Sequence, residues 1–313
     1  MSSPEGRPPL IVLAGATASG KTALSLALAE ALVARGISAE IISADSRQVY
    51  RGMDIGTAKV TLAERARVSH HGLDLVDPDA PFSVAEYAGH AREALAAIAE
   101  RGAVAILVGG TGFYLRAVAR GMAVDQLPWD PAVRAAVDAR LVAEGLPALV
   151  AELRELAPTR AAVIDARNPR RVVRALEIAR LQGDAALPEP AGYGRPVLWL
   201  GLTVESPVLR ERIRTRAQAQ FDAGLVEETE ALVARFDPAS PSFSGIGYSE
   251  SLALIAGRLT REEAVAEDAR RNILLARHQA TWFRREPEIC WLDASHDLPI
   301  GKALATIDHY LPS

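Results

Sequence analysis

Short apolar runs alternate with amphipathic stretches over the first 120 residues. Leu10–Leu13, Ala39–Ser43 and Ala103–Val108 are runs of the kind buried on both faces of a parallel sheet, and Leu73–Val76 is a weaker one. Ala23–Ala34 and Val84–Ala99 read as helices, the second opened by Ser83 and Glu86 at capping-box spacing. Such alternation predicts a doubly wound parallel α/β sheet. From Gly121 to about Arg195 the pattern turns helical, with Pro131–Glu144, Leu149–Leu156 and Pro169–Gln182 as helices, the last capped by Asn168 with Pro169 at its first position. Sheet character returns at Val197–Thr203. Helices then follow from Ser206 to about Ala223, stopped by Gly224, and at Val226–Phe236, Ser249–Ala256 and Arg261–Arg285. Thr260 and Glu263 open the last of these with a second capping box, and Glu288–Leu292 is a late strand. The pattern therefore predicts an α/β core over 1–120 and 196–313, with a helical insertion domain over 121–195.

Composition narrows the classes. With 313 residues and 49% hydrophobic content, the chain can bury a sizeable core in one large domain or two. A single cysteine, Cys290, excludes an internal disulfide and a cysteine-cluster zinc site, and is expected as a buried strand residue. Met1–Pro9 is polar and does not read as a signal peptide, and no apolar run approaches about 18 residues. The expectation is a cytoplasmic protein without a membrane segment. Net charge is −4, so the surface as a whole does not favour nucleic acid. Locally, Arg160, Arg167, Arg170, Arg171, Arg174 and Arg180 stand against Asp165 and Glu177 alone, and Arg270, Arg271, Arg277, His278, Arg284 and Arg285 form a stretch without an acid. Such stripes either track phosphates or form solvated helix faces.

The strongest chemical signal is Gly15-Ala16-Thr17-Ala18-Ser19-Gly20-Lys21-Thr22, which fits G-x-x-x-x-G-K-[ST] between a strand and a helix. Successive backbone N–H groups and the positive end of the new helix suit phosphate oxygens. Lys21 adds a cation, and the Thr22 hydroxyl can hold Mg²⁺. The motif specifies a pyrophosphate-like ligand and leaves the reaction open.

After the second strand comes Ala44-Asp45-Ser46-Arg47-Gln48. At the carboxyl end of a sheet strand, Asp45 falls in the ligand crevice. It could bind Mg²⁺, take a proton from an incoming nucleophile, or form an Asx turn. Tyr50–Lys59 reads as a surface loop able to close over the site, with Lys59 either reaching a phosphate or solvated. The third strand ends in Gly109-Gly110-Thr111-Gly112 without the acidic residue that a nucleotide hydrolase places there, which weakens an ATPase reading. Those glycines serve close ligand approach or tight strand–helix packing. Arg212 and Arg216 share a helix face, and either could reach a leaving pyrophosphate.

Together the motifs resemble one family, the bacterial tRNA dimethylallyltransferases (tRNA isopentenyltransferases). The resemblance rests on GATASGKT, on ADSRQVYRGMDIGTAK over residues 44–59, on HHGLD and VDP over 70–78, on GGTGFY over 109–114, on RVVRALE over 171–177 and on QATWFR over 279–284, in that order. It implies a P-loop NTPase-like fold with an inserted helical domain contacting tRNA. The implied activity is transfer of a dimethylallyl group from dimethylallyl diphosphate to N6 of adenosine 37, in tRNAs reading codons that begin with U, with Mg²⁺ as cofactor. The implied ligand at Gly15–Thr22, an ATP-binding type of motif, is the diphosphate.

Carried over by motif, Asp45 is the general base, Thr22 the phosphate-loop threonine and metal ligand, and Arg216 the arginine on the diphosphate. Asp45, Ser46, Arg47, Gln48, Thr111, Arg170, Arg171, Arg174, Arg277 and Gln279 are the implied tRNA contacts. The anticodon stem-loop is the implied partner of a monomer. Two departures stand out: Ala16 where proline is usual, and His278 in place of a second basic residue in Ala276-Arg277-His278-Gln279. Competing readings are a P-loop small-molecule kinase, an isopentenyltransferase of free adenine nucleotides, and a non-enzymatic RNA-binding module. The last leaves the loop and Asp45 unexplained.

Overall fold

A computed structural model describes residues 7–311; residues 1–6 of the polar Met1–Pro9 stretch lie outside the described residues. Six strands form one parallel sheet: β1 (Leu10–Gly15), β2 (Ala39–Ser43), β3 (His70–His71), β4 (Val104–Gly109), β5 (Val197–Thr203) and β6 (Ile289–Asp293), in the order β3-β2-β4-β1-β5-β6. Strand β1 is central, with Leu10 opposite Ala105 of β4 on one side and Val197 of β5 on the other. Its residues alternate between two cores. Leu10, Val12 and Ala14 join one, while Ile11 and Leu13 join the other. This burial on both faces is why β1 reads as an unbroken apolar run.

Helices cover both faces: α1 (Lys21–Val33), α2 (Leu62–Arg67), α3 (Val84–Glu100), α4 (Gly112–Ala119), α8 (Ser206–Asp222), α9 (Leu225–Val233), α10 (Tyr248–Ile255), α11 (Arg261–Phe283) and α12 (Ile300–Tyr310). The capping boxes at Ser83/Glu86 and Thr260/Glu263 are formed, as is a third at Thr61/Glu64 that opens α2. From β1 the chain leads to β2 on one side of the sheet, and after β4 it crosses to β5 on the other. At such a divergence, the carboxyl ends of adjacent strands leave a crevice.

Residues Ala123–Pro190 form a separate compact unit, and the α/β unit comprises the rest of the chain. The smaller unit holds α5 (Pro131–Leu156), α6 (Pro158–Val163) and α7 (Pro169–Gln182) around Val137, Leu149, Leu153, Val172 and Leu176. Gly145, with φ 79° and ψ 169°, breaks α5 into two helical runs. Asn168 caps α7 through the Arg171 N–H, with Pro169 in its first turn.

Three expectations are corrected. Leu73–Val76 is not a strand: β3 forms earlier, at His70–His71, and Val76 makes only an isolated bridge to Tyr50. Gly72 crosses so close to β2 that a Cβ there would lie 2.6 Å from the Ser43 carbonyl oxygen, which shifts pairing to the residues before it. Cys290 is exposed, because β6 is an edge strand. Lys59 is neither solvated nor free for phosphate. Its ammonium is sealed among Tyr50 O, Asp54 and Asp74, each at 2.7 Å.

Candidate active site

The loop after β1 turns through Ala18 (φ 59°) and Gly20 (φ 96°), both left-handed, and delivers Lys21 and Thr22 into the first turn of α1. Positive φ at alternating positions turns backbone N–H groups inward, and the start of α1 adds its dipole. Ala16 is buried against Ile213 and Ala217 of α8 and Ala269 and Ala276 of α11, so the two helices back the loop. The Thr17 N–H donates to Gln279 Oε1 at 2.8 Å, and Gln279 Nε2 donates to Gly110 O at 3.0 Å. Gln279 thereby ties the loop after β1 to the turn after β4.

Lys21 Nζ folds back onto the Ala16 carbonyl at 2.6 Å. Burial pushes its pKa down to about 8; Asp45 acts in the opposite sense, and Arg216 adds to the depression. Arg216 Nη2 donates to Thr17 Oγ1 at 2.7 Å and to Asn272 Oδ1 at 3.3 Å. Its Nε is sealed from solvent without a partner. Burial lowers the Arg216 pKa, against the pull of Asp268 and Asp45.

Asp45 follows β2. Its Oδ1 accepts the Arg47 N–H at 2.9 Å, so an Asx turn does form, and Oδ2 has no hydrogen bond among the described residues. Thr111 Oγ1 accepts the Ser46 N–H at 3.0 Å and holds this turn against the end of β4. Gln48 accepts from Ser43 Oγ and donates to the carbonyls of Thr57 and Ala58, while Arg47 donates to the carbonyls of Pro241 and Ser242. The Tyr50–Lys59 loop is itself held in place. Glu228 accepts N–H groups from Asp54, Ile55 and Gly56, and Gln220 donates to the Ile55 and Gly56 carbonyls.

These parts enclose a cavity of about 780 Å³. Lys21, Arg47, Arg212, Arg216 and Arg271 line it against one carboxylate, Asp45. Such a balance attracts an anion and leaves one carboxylate facing it, with the His70 imidazole also in the wall. Thr17, Ala18, Gly20, Lys21, Thr22, Ser46, Arg47, Gln48, Thr111 and Gln279 all reach its wall, whereas Gly15, Ala16 and Ser19 do not line it. Gly109, Gly110 and Gly112 serve packing: a Cβ would meet Ala44 O at 2.1 Å, Gln279 Nε2 at 2.4 Å and the Trp282 ring at 2.4 Å respectively. Arg212 donates to the Ser295 carbonyl at 2.9 Å.

The arginine stripes divide. Arg174 is engaged inside the helical unit, with Glu177 at 2.9 Å and the Pro128 carbonyl at 2.9 Å, and its side chain remains partly exposed. Arg160 and Arg180 are likewise held, by the Gly183 and Ala185 carbonyls and by Glu152. Arg170, Arg171 and Arg277 are exposed and make no ion pair among the described residues. Asp268 and Asn272 escaped the reading of the sequence. Their signal was spacing, since buried polar residues four apart on α11 share the face that packs on α8.

The IPP transferase family model matches residues 48–286. The chain is similar to a tRNA dimethylallyltransferase from Roseiflexus sp. (strain RS-1), at 44% identity over 291 residues, covering 91% of this chain and 93% of the relative. A tRNA dimethylallyltransferase of Bifidobacterium longum subsp. infantis is 42% identical over 306 residues, covering 96% and 91% of the two chains. Among solved structures, a full-length tRNA isopentenylpyrophosphate transferase from Bacillus halodurans superposes with a TM-score of 0.70 at 37% identity, covering 97% of this chain and 95% of that one.

Proposed function

The chain belongs to the IPP transferase family and is a prenyltransferase that transfers a dimethylallyl group to tRNA; from this we propose that the donor is dimethylallyl diphosphate and the acceptor is N6 of adenosine 37 in the anticodon stem-loop of tRNAs reading codons that begin with U. The observation that carries this reading is the cavity itself, in which a cation-lined phosphate loop faces a single carboxylate.

In the reaction the allylic C1–O bond to diphosphate breaks, the N6–C1 bond forms, and N6 loses a proton. Backbone N–H groups of the loop, Lys21 and Arg216 neutralise charge building on the leaving diphosphate. The adenine amine is a weak nucleophile because its lone pair is delocalised into the ring. Asp45, oriented by the Arg47 N–H and with Oδ2 unengaged, takes the proton as the new bond forms. The base leaves the anticodon stack to enter the cavity, as base-modifying enzymes require. The Thr22 hydroxyl, which lines the cavity at the start of α1, and the Asp45 carboxylate are hard oxygen donors that fit Mg²⁺. When bound, the ion would supply further neutralisation of diphosphate charge.

Incubation with labelled dimethylallyl diphosphate, Mg²⁺ and either unmodified tRNA or AMP tests the reading. Label should enter tRNA and not AMP, and map to adenosine 37. Asp45→Asn should lower turnover by about 10²–10⁴-fold while tRNA still binds. Label in AMP alone, or full turnover in Asp45→Asn, would overturn the acceptor or the base respectively.

A further inference from the structure

Arg216 is an unusual cation. Among the described residues no carboxylate lies within ion-pair distance of it, although burial depresses its pKa. A desolvated guanidinium without a charge partner is costly, and a buried N–H without an acceptor adds to that cost. Its Nε is such an N–H. The nearest compensation arrives through an intermediary. Asn272 accepts from Arg216 Nη2 with its carbonyl oxygen and donates its NH₂ to Asp268 Oδ1 at 2.8 Å. Asp268 is only 1% exposed and Asn272 7%.

We propose that Asp268 and Asn272 are positioning residues that aim Arg216 at the diphosphate while keeping the balancing carboxylate off it. The inference rests on the reading of Arg216 as a diphosphate contact. An amide is suited to the task because one end accepts and the other donates. Asp268 holds the amide in the orientation that presents Oδ1 to Arg216, one turn farther along α11. A carboxylate at position 272 would instead engage the guanidinium directly, in a strong charge-assisted pair that competes with any incoming anion. With the amide in between, the negative charge lies one residue away and the guanidinium carries no direct carboxylate partner to compete with a phosphate oxygen. Arg216 is also registered to the phosphate loop through Thr17 Oγ1, which the loop itself presents to the cavity. The relay therefore couples α11, α8 and the loop at the point where the leaving group would sit.

The test is inorganic pyrophosphate binding by calorimetry on the full chain, with melting temperature and far-ultraviolet circular dichroism as folding controls. Arg216→Ala should weaken pyrophosphate by about tenfold or more, the size expected for a charged hydrogen-bond partner. Asn272→Asp should weaken it by a similar factor, with the fold retained. In an Arg216→Ala background, Asn272→Asp should change binding by less than about twofold, because it acts only through the arginine. Asn272→Ala, which frees Arg216 without adding charge, provides the same comparison should the aspartate variant fail to fold. In turnover, both Asn272 variants should raise KM for dimethylallyl diphosphate and leave KM for tRNA unchanged. Wild-type affinity in both Asn272 variants, with Arg216→Ala weak, would overturn the relay. So would an undiminished Asn272→Asp effect in the Arg216→Ala background, which would indicate general repulsion of the anion. Wild-type affinity in Arg216→Ala would instead overturn the underlying reading of the site.

Discussion

Lys21 shows how a motif residue acquires its chemistry from packing. The motif places a lysine beside the phosphates, but the fold sets its proton affinity. Folded back on the Ala16 carbonyl and desolvated, it titrates near pH 8 in the free protein. Its folded pKa lies below the unfolded value of 10.5, so the unfolded chain binds more protons between about pH 8 and 10.5. Through that window the Lys21 contribution to stability rises with pH. Substrate binding responds in the opposite sense, because an anionic diphosphate favours the charged lysine. Dimethylallyl diphosphate binding at pH 8.5 should therefore take up a proton, and affinity should fall as pH rises from 7 to 9.5. Calorimetry in buffers of different ionisation enthalpy measures the uptake, which Lys21→Met should abolish. Lys21 and Asp45 were legible in the sequence because local spacing fixes both. The engagement of Lys59 with Asp54 and Asp74 was not, since Asp74 lies fifteen positions away and only the pairing of β2 with β3 brings it near. The spacing of Asp268 and Asn272 was readable but their role was not, because Arg216, which Asn272 contacts, sits on another helix.

At the scale of elements, long periodic segments were the readable ones. The strands Ala39–Ser43 and Val197–Thr203 and the helix Pro169–Gln182 form as the pattern predicts, because burial on one face or two enforces their periodicity. The elements that escaped are short or locally ambiguous. β3 has two residues, α4 begins at a glycine, and α12 follows a proline without a side-chain cap. The glycines after β4 illustrate how an element's end is set by neighbours rather than by propensity. Gly109 runs so close to the segment after β2 that a Cβ would stand 2.1 Å from the Ala44 carbonyl oxygen, a backbone atom that cannot swing aside. Gly36, by contrast, is left-handed (φ 80°) with open space around it. Gly36→Ala should cost about 1–2 kcal/mol from backbone strain alone. Gly109→Ala should cost more than about 4 kcal/mol, beyond the usual range for a point substitution, and displace the Asp45 turn. Chemical denaturation of the two variants checks the order, and equal losses would remove the packing role assigned to Gly109.

For the whole molecule, the question is how a chain of net charge −4 holds a polyanion. The local arginines answer it only in part, since paired ones contribute little free charge. Arg174 is bound to Glu177, whose side chain is fully buried, so removing the arginine takes one cation from a buried carboxylate that Arg134 contacts at 3.2 Å. Arg170, Arg171 and Arg277 have no such obligation and are exposed. Phosphate neutralisation releases counterions, and each lost contact lowers the slope of log affinity against log salt concentration by about one. Arg170→Ala, Arg171→Ala and Arg277→Ala should therefore each flatten the salt dependence of tRNA binding by about one unit and leave the melting temperature unchanged. Arg174→Ala should do the reverse, keeping the slope while destabilising the helical unit by about 1–3 kcal/mol. Filter binding between 50 and 300 mM salt, paired with thermal melts, separates the two behaviours. A flattened slope in Arg174→Ala with an unchanged melt would mean that the Glu177 pair opens when RNA arrives. The buried carboxylate would then be holding the arginine in reserve for a phosphate.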